Sequence, residues 1–298
     1  MPNKLCLGTV QFGLHYGIKN EIGRKPTEEE SFSVIKTAIK SGITYFDTAS
    51  IYGDAEKVLG DFCIGQYDVK VISKLRPNII QDMNTNAEKE IEKEIELSLK
   101  KLNLSSLDGF LLHTADDFYN KDIIRGLQFC KKKGLVKNIG VSVYETEHAL
   151  DVVKSGLVNY IQIPYNIFDQ RLDQTNFFDI AKKNDIKIFA RSSFLQGLLL
   201  MDLNKVPDYL SEAKPYLKRF NEIIMKYGYS KIEAALLFSY CHPKIDKVVF
   251  GVETKKQLEN NLLILERADE FAECYSELAE SFNAIGKKII TPSLWNNN

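Results

Sequence analysis

Gly42-Ile43-Thr44-Tyr45-Phe46-Asp47-Thr48-Ala49-Ser50-Ile51-Tyr52-Gly53-Asp54-Ala55-Glu56-Lys57-Val58-Leu59-Gly60 is the stretch on which the reading of this chain turns. Its first five residues form an apolar run that predicts a short buried strand. The run stops at an acid, Asp47, and five residues later Tyr52 precedes Gly53. Apolar residues then resume at helical spacing. An aspartate and a tyrosine therefore share a strand-to-helix junction, which in an α/β barrel is the catalytic face.

The flanking sequence repeats this alternation. Residues 5–10 read as a strand entering a glycine-bearing loop at Gln11-Phe12-Gly13. Residues 27–41 read as an amphipathic helix in which Thr27 and Glu30 form a capping box. Further strands are predicted over 69–74, 107–113, 136–141, 160–163, 186–190 and 247–250. Helices are predicted over 54–63, 86–102, 121–133, 145–155, 172–184, 210–227, 231–240 and 254–265, with Gly134 closing the third. Eight strands each precede helical sequence, with no linker-like change of composition. This predicts a single-domain (β/α)8 TIM barrel over residues 1–298, with 286–298 a partly flexible C-terminal tail frayed at 296–298. A doubly wound open sheet is the competing α/β arrangement, and pattern alone does not separate the two.

Composition narrows the function. The chain has 298 residues, 44% of them hydrophobic, enough for a sizeable core, and a net charge of -1 that gives no reason to expect nucleic acid. The five cysteines, Cys6, Cys63, Cys130, Cys241 and Cys274, have neither metal-ligand nor redox spacing, so no metal is expected and reduced thiols are. No run approaches the roughly 20 apolar residues of a membrane span. A cytoplasmic protein is expected.

Four residues stand at or just past the ends of the second, third and fourth predicted strands: Asp47 and Tyr52, Lys74, and His113. In a barrel these ends converge on one mouth. The set suits carbonyl reduction. A free tyrosine titrates near 10, and a lysine cation beside it is expected to lower that pKa. An aspartate fixes the lysine, and a histidine orients the carbonyl oxygen. Taken singly, each has an ordinary reading: Asp47 as a cap, Tyr52 as a rim aromatic, Lys74 as a solvated terminus, His113 as a satisfied polar group. Their succession at strand ends favours chemistry.

Asp47-Thr48-Ala49 with Tyr52-Gly53, Glu56 and Leu59-Gly60 resembles the signature of the aldo-keto reductase superfamily. The resemblance extends through Ile72-Ser73-Lys74, Leu111-Leu112-His113, 134–142, Gln162-Ile163-Pro164-Tyr165-Asn166 and Gln196-Gly197-Leu198-Leu199, and reaches Gly251, Gln257 and Asn261. It implies Tyr52 as general acid, Lys74 and Asp47 as its tuning pair, and His113 as the group orienting substrate. It also implies that Asp47 touches the cofactor, that Ser142 and Gln162 bond the nicotinamide carboxamide, and that Tyr165 stacks on the ring. Ser192, Phe194, Gln196 and Gly197 would follow the pyrophosphate, and Gly251, Gln257 and Asn261 the adenosine end. The cofactor so implied is NADP(H), with NAD(H) as the alternative. No Rossmann glycine fingerprint is present, as suits a barrel that holds its dinucleotide extended.

The chain departs from the family pattern at Val143, Arg191, Ser193 and Phe250. Glu253 and Gln257 stand where basic residues often hold a 2′-phosphate; Lys255 and Lys256 are the nearby cations that could compensate. Phe12, His15, Tyr16, residues near Thr114 and Phe168, and the C-terminal segment around Trp295 are the expected substrate-pocket lining, and Trp295 could instead anchor the tail. Arg191, if it faces the mouth, would meet an anionic or polyhydroxylated substrate; bracing the cofactor phosphates is its other reading. The expected partner is a small-molecule carbonyl, with no nucleic acid or membrane, acting on a monomer or weak homo-oligomer. Two rival functions are a cofactor-binding redox-sensing regulatory subunit and a sugar-phosphate isomerase. The tyrosine-lysine pairing argues against the isomerase.

Overall fold

Eight short parallel strands close on themselves in sequence order: β1 (Leu5–Gly8), β2 (Tyr45–Asp47), β3 (Lys70–Leu75), β4 (Leu107–Leu112), β5 (Val136–Ser142), β6 (Tyr160–Pro164), β7 (Lys187–Arg191) and β8 (Lys247–Gly251), with β8 pairing back onto β1. Closure excludes the open doubly wound sheet. The computed structural model describes residues 4–17, 22–77, 79 and 86–295; the fraying expected at 296–298 lies outside them. Helices run α1 (Val10–Gly13), α2 (Glu28–Lys40), α3 (Ala55–Asp61), α4 (Ala87–Leu102), α5 (Lys121–Lys132), α6 (Thr146–Lys154), α7 (Phe177–Lys183), α8 (Lys214–Lys226), α9 (Lys231–Cys241), α10 (Lys255–Ile264), α11 (Ala272–Ser281) and α12 (Lys287–Ile290). No helix among the described residues is long and apolar enough to cross a membrane.

The period-two alternation of strands sorts the side chains. Outward residues such as Phe46, Val71, Phe110, Ile161 and Ile163 join the large core between strands and helices. Inward residues Cys6, Tyr45, Ile72, Leu111, Tyr160, Phe189 and Val249 make a separate apolar layer inside the barrel. One step further along the same inward rows stand Gly8, Asp47, Lys74, His113, Gln162, Arg191 and Gly251. The barrel interior therefore changes from apolar to polar at one level, and the polar level is the mouth.

Local chemistry accounts for the boundaries. Thr27 accepts from the Glu30 backbone N–H while Glu30 accepts from that of Thr27, the expected capping box. The strand expected over 5–10 ends at Gly8, because Thr9 turns into α1. The helix expected over 172–184 is broken. A 3-10 turn (Arg171–Gln174) precedes α7, and extended Thr175 uses its hydroxyl to bond the Leu172 carbonyl and the Phe177 N–H. α11 and α12 were not anticipated. Buried Phe271, Leu278, Ile289, Ile290 and Trp295 join them to the same core as the barrel helices, and the Trp295 indole donates to the Lys288 and Ile289 carbonyls.

Candidate active site

At the floor of the mouth, Lys74 and Asp47 form a buried ion pair, with Lys74 Nζ at 2.8 and 2.7 Å from the two carboxylate oxygens. The ammonium also donates to the Thr48 carbonyl at 3.0 Å, and Gln162 Nε2 donates to Asp47 Oδ1 at 2.8 Å from across the barrel. A buried charge must be paired and hydrogen-bonded to be tolerated; here every group in the pair is. Burial works to lower the Lys74 pKa, but Asp47 and Tyr52 outweigh it and the net direction is upward. Lys74 remains a cation.

Above this pair sit the two residues that can face a substrate. Lys74 Nζ is 5.1 Å from the Tyr52 ring centre, and the Tyr52 and His113 rings meet edge-on at 5.8 Å and 90°. The loop carrying Tyr52 is clamped from behind by α1. A Cβ on Gly13 would lie 1.6 Å from the Tyr52 carbonyl oxygen, and one on Gly53, at φ +55°, 2.5 Å from the Gly13 carbonyl. Only glycine permits that approach. Glu56, the acid of the same motif, is buried and accepts from the Ser73 hydroxyl at 2.6 Å, with Lys101 at 3.6 Å, so it fastens α3 to β3.

Electrostatics at Tyr52 differ from the sequence expectation. Burial pushes the Tyr52 pKa above its usual value; Lys74 opposes this and Asp47 reinforces it, and the net shift is upward rather than downward. Burial outweighs the lysine cation. His113 is driven to about 3 by burial first and then by the Lys74 and Arg191 cations, so it is a neutral imidazole throughout the working pH range. Its Nδ1 is buried without a hydrogen-bond partner.

The cleft leading away from these residues encloses about 1360 Å³ including its open mouth, and it is lined by Asp47, Tyr52, His113, Ser142, Gln162, Ser192, Phe194, Gln196, Gly197, Gly251, Gln257 and Asn261 among others. Twelve of the fourteen residues given catalytic or cofactor roles in the sequence thus meet in one place, with Lys74 beneath them. Its length carries orphaned buried polar atoms: His113 Nδ1 at one end, Ser193 Oγ, then Gln11 Oε1 and Asn261 Oδ1 toward β8. Unpaired buried polar groups are costly, and a long polar ligand would satisfy them. The loop after β7 holds Ser192, Leu195 and Gln196 at φ of 66°, 46° and 51°, a conformation that non-glycine residues adopt only where the surroundings impose it. These features fit an extended dinucleotide.

Tyr165 is not in the cleft. It belongs to the outward row of β6, stacks on Phe238 at 5.8 Å and bonds Asp173 through its hydroxyl at 2.8 Å, so it packs the core and cannot cover a nicotinamide from there. Of the expected pocket lining, Tyr16 faces the cleft. Phe12 and Phe168 are core residues, His15 is exposed, Thr114 bonds Asp117, and Trp295 packs the C-terminal segment. Sequence reading missed Gln11 and Tyr144, both lining. Each lies just past an inward strand end, which was the available signal.

A profile of the Aldo/keto reductase family matches residues 4–277. Glyoxal reductase of Bacillus subtilis (strain 168) is 31% identical over 196 residues, 63% of this chain and 65% of that protein, just under two thirds of its length. L-glyceraldehyde 3-phosphate reductase of Escherichia coli (strain K12) is 24% identical over 290 residues, covering 85% and 83%. Among solved structures, the holo form of an aldo-keto reductase from Bacillus halodurans superposes with a TM-score of 0.75 at 19% identity, over 96% of this chain and 95% of that one. A closed eight-stranded barrel, a polar mouth built around Asp47 and Lys74, and a family profile spanning nearly the whole sequence agree: this chain belongs to the aldo/keto reductase family.

Proposed function

We propose that the protein reduces an aldehyde or ketone to an alcohol, using a nicotinamide dinucleotide held in the cleft and a proton from Tyr52. The observation that carries this reading is the placement of Tyr52 and His113 directly above the buried Lys74–Asp47 pair. When bound along the cleft, a nicotinamide dinucleotide would supply the hydride for the carbonyl carbon. As the carbonyl π pair moves to oxygen, that oxygen takes the Tyr52 proton, and solvent later restores it. Neutral His113 donates one hydrogen bond to the same oxygen and fixes its direction. Lys74 steadies the phenolate that forms, and Asp47 keeps Lys74 in place. Ser142 and Gln162 are the groups for the nicotinamide end; one Gln162 N–H is committed to Asp47, leaving its second for the ligand. The names of relatives acting on glyoxal and glyceraldehyde 3-phosphate support small aldehydes as substrates.

The pH dependence follows from the two shifts. Tyr52 holds its proton past 10 and His113 stays neutral down to about 3, so reductive kcat is expected to be flat from about pH 6 to pH 9. An acid limb near 6.5 that vanishes in His113→Asn would show that His113 titrates and contradict its assigned state. For stability the sign is the same. The unfolded chain takes up the His113 proton near its ordinary value and the folded chain only near 3, so this residue weakens the fold progressively as pH falls between them.

Resemblance implied NADP(H), but the adenosine end favours NAD(H). Glu253 is 6% exposed and lines the cleft. Its N–H donates to Gln257 Oε1 at 2.7 Å and its carboxylate accepts from Gln257 Nε2 at 3.4 Å. Lys255 pairs with Glu259 on the exposed face, and neither it nor Lys256 lines the cleft. A carboxylate there accepts from ribose hydroxyls and repels a 2′-phosphate. Calorimetric titration is expected to give NADH about 10-fold tighter binding than NADPH, consistent with roughly 1.4 kcal/mol of discrimination. Glu253→Gln should narrow the gap. Tighter NADPH binding, or a ratio unmoved by Glu253→Gln, overturns this assignment. Failure to bind either nucleotide overturns the reductase reading; binding without turnover of any carbonyl favours the regulatory alternative.

A further inference from the structure

Among the described residues, six of the seven arginines are paired with a carboxylate: Arg24, Arg76, Arg125, Arg171, Arg219 and Arg267. The seventh, Arg191, makes no such pair, although it lines the cleft and is half-buried. It occupies the inward row of β7, one step beyond buried Phe189. Nη2 donates to the Val143 carbonyl at 3.1 Å and Nη1 to the Ser192 hydroxyl at 3.3 Å. The guanidinium lies 4.0 Å from the centre of the Tyr144 ring. Those two bonds and the ring contact fix the plane of the fork while using two of its five N–H groups.

Burying part of a cation without a counter-charge is unfavourable, and no carboxylate among the described residues pairs with Arg191. Asp47 is the carboxylate at this end, and both its oxygens are held by Lys74 and Gln162. The direction of the side chain is informative. Arg191 reaches across β6 to the Val143–Tyr144 loop while also holding the Ser192 hydroxyl at the start of the 192–197 turn. Its field reaches both Tyr52 and His113, so it belongs to the region where a carbonyl would react.

We infer that Arg191, planed by Tyr144, is an anion subsite, and that the preferred substrates are aldehydes or ketones bearing a carboxylate or phosphate a few bonds from the carbonyl. This rests on the reductase reading and names its substrate class. A planar fork accepts two oxygens of either anion, so the chemistry is shared and the probes must separate the sources.

The test compares neutral and anionic partners of equal length: butanal with 4-oxobutanoate for a carboxylate, glycolaldehyde with its phosphate for a phosphate. In the parent, kcat/KM should favour the anionic member of at least one pair by roughly 10- to 100-fold, the range of a charge-assisted hydrogen bond. Arg191→Met should remove most of that preference, and Arg191→Lys should restore part of it, through charge without the fork. Calorimetry with NADH and NADPH on each variant provides a readout besides turnover. Equal losses on both members of a pair, together with weaker dinucleotide binding, would mean that Arg191 braces the cofactor, and the inference falls. Absence of any anionic preference in the parent overturns it as well. If the protein reduces none of the four compounds, the reductase reading is what fails. The subsite is then judged by binding of succinate and of glycol phosphate: dissociation constants that weaken in Arg191→Met support it, and no binding ends it.

Discussion

Replacing Tyr52 by Phe is expected to lower kcat by about 10²–10⁴-fold, the usual contribution of a positioned acid, while the dinucleotide dissociation constant moves by less than about threefold. The substitution removes one oxygen and leaves the ring. The edge-on contact with His113 at 5.8 Å and the ammonium over the ring face at 5.1 Å both survive, so the loop keeps its shape. What disappears is the hydroxyl proposed as the proton donor, which burial holds protonated. The raised pKa makes Tyr52 a weaker acid than the sequence suggested, but its conjugate base is correspondingly eager to be reprotonated between turnovers. In the proposed mechanism its proton moves only as an alkoxide develops. Single-turnover measurements with bound reduced nucleotide would isolate that step. Turnover within about threefold of the parent in Tyr52→Phe would remove Tyr52 from the mechanism, and His113 would be the next donor to examine.

The barrel and its polar mouth could be read from the sequence because both depend on short-range periodicity. Once Tyr45 is placed inward, Asp47 must follow it. The same step carries Ile72 to Lys74, Leu111 to His113, Tyr160 to Gln162 and Phe189 to Arg191. That rule also explains the failure at Tyr165. Ile161, Ile163 and Tyr165 occupy the outward row, so alternation alone sends the ring into the helices; the resemblance overrode it. The direction of the Tyr52 shift was not legible, because it is a competition between burial and two charges whose distances the sequence does not contain. α11 escaped notice because Cys274 and Leu278 are its only buried positions, set among acids at 273, 277 and 280, too few to impose a period. Gln11 became informative only through its surroundings, as an unpartnered amide oxygen in the cleft, whereas Glu253 stood out in the sequence and the structure adds that its carboxylate is buried against that cleft.

Removing one partner of the Lys74–Asp47 pair should have the largest effect on the fold. Lys74→Met leaves Asp47, 3% exposed, with the Gln162 amide as its side-chain donor at 2.8 Å. Stranding a buried charge in this way costs about 3–5 kcal/mol. For a chain of 298 residues, at about 2.1 cal/mol/K of unfolding entropy per residue, that corresponds to a fall in Tm of roughly 5–8 °C. Activity should fall further than stability, since Tyr52 loses the cation that opposes its upward shift. The double variant Asp47→Leu with Lys74→Met separates the two consequences. It replaces the pair by apolar groups above the Cys6, Ile72 and Leu111 layer, a change that is often neutral or stabilising at buried ion pairs. Its Tm should therefore recover toward that of the parent while its turnover does not. A single variant that melts with the parent would show that the pair is solvated in the working protein. A double variant that recovered turnover would show that neither residue tunes Tyr52, leaving the pair as a structural plug between the apolar layer and the mouth.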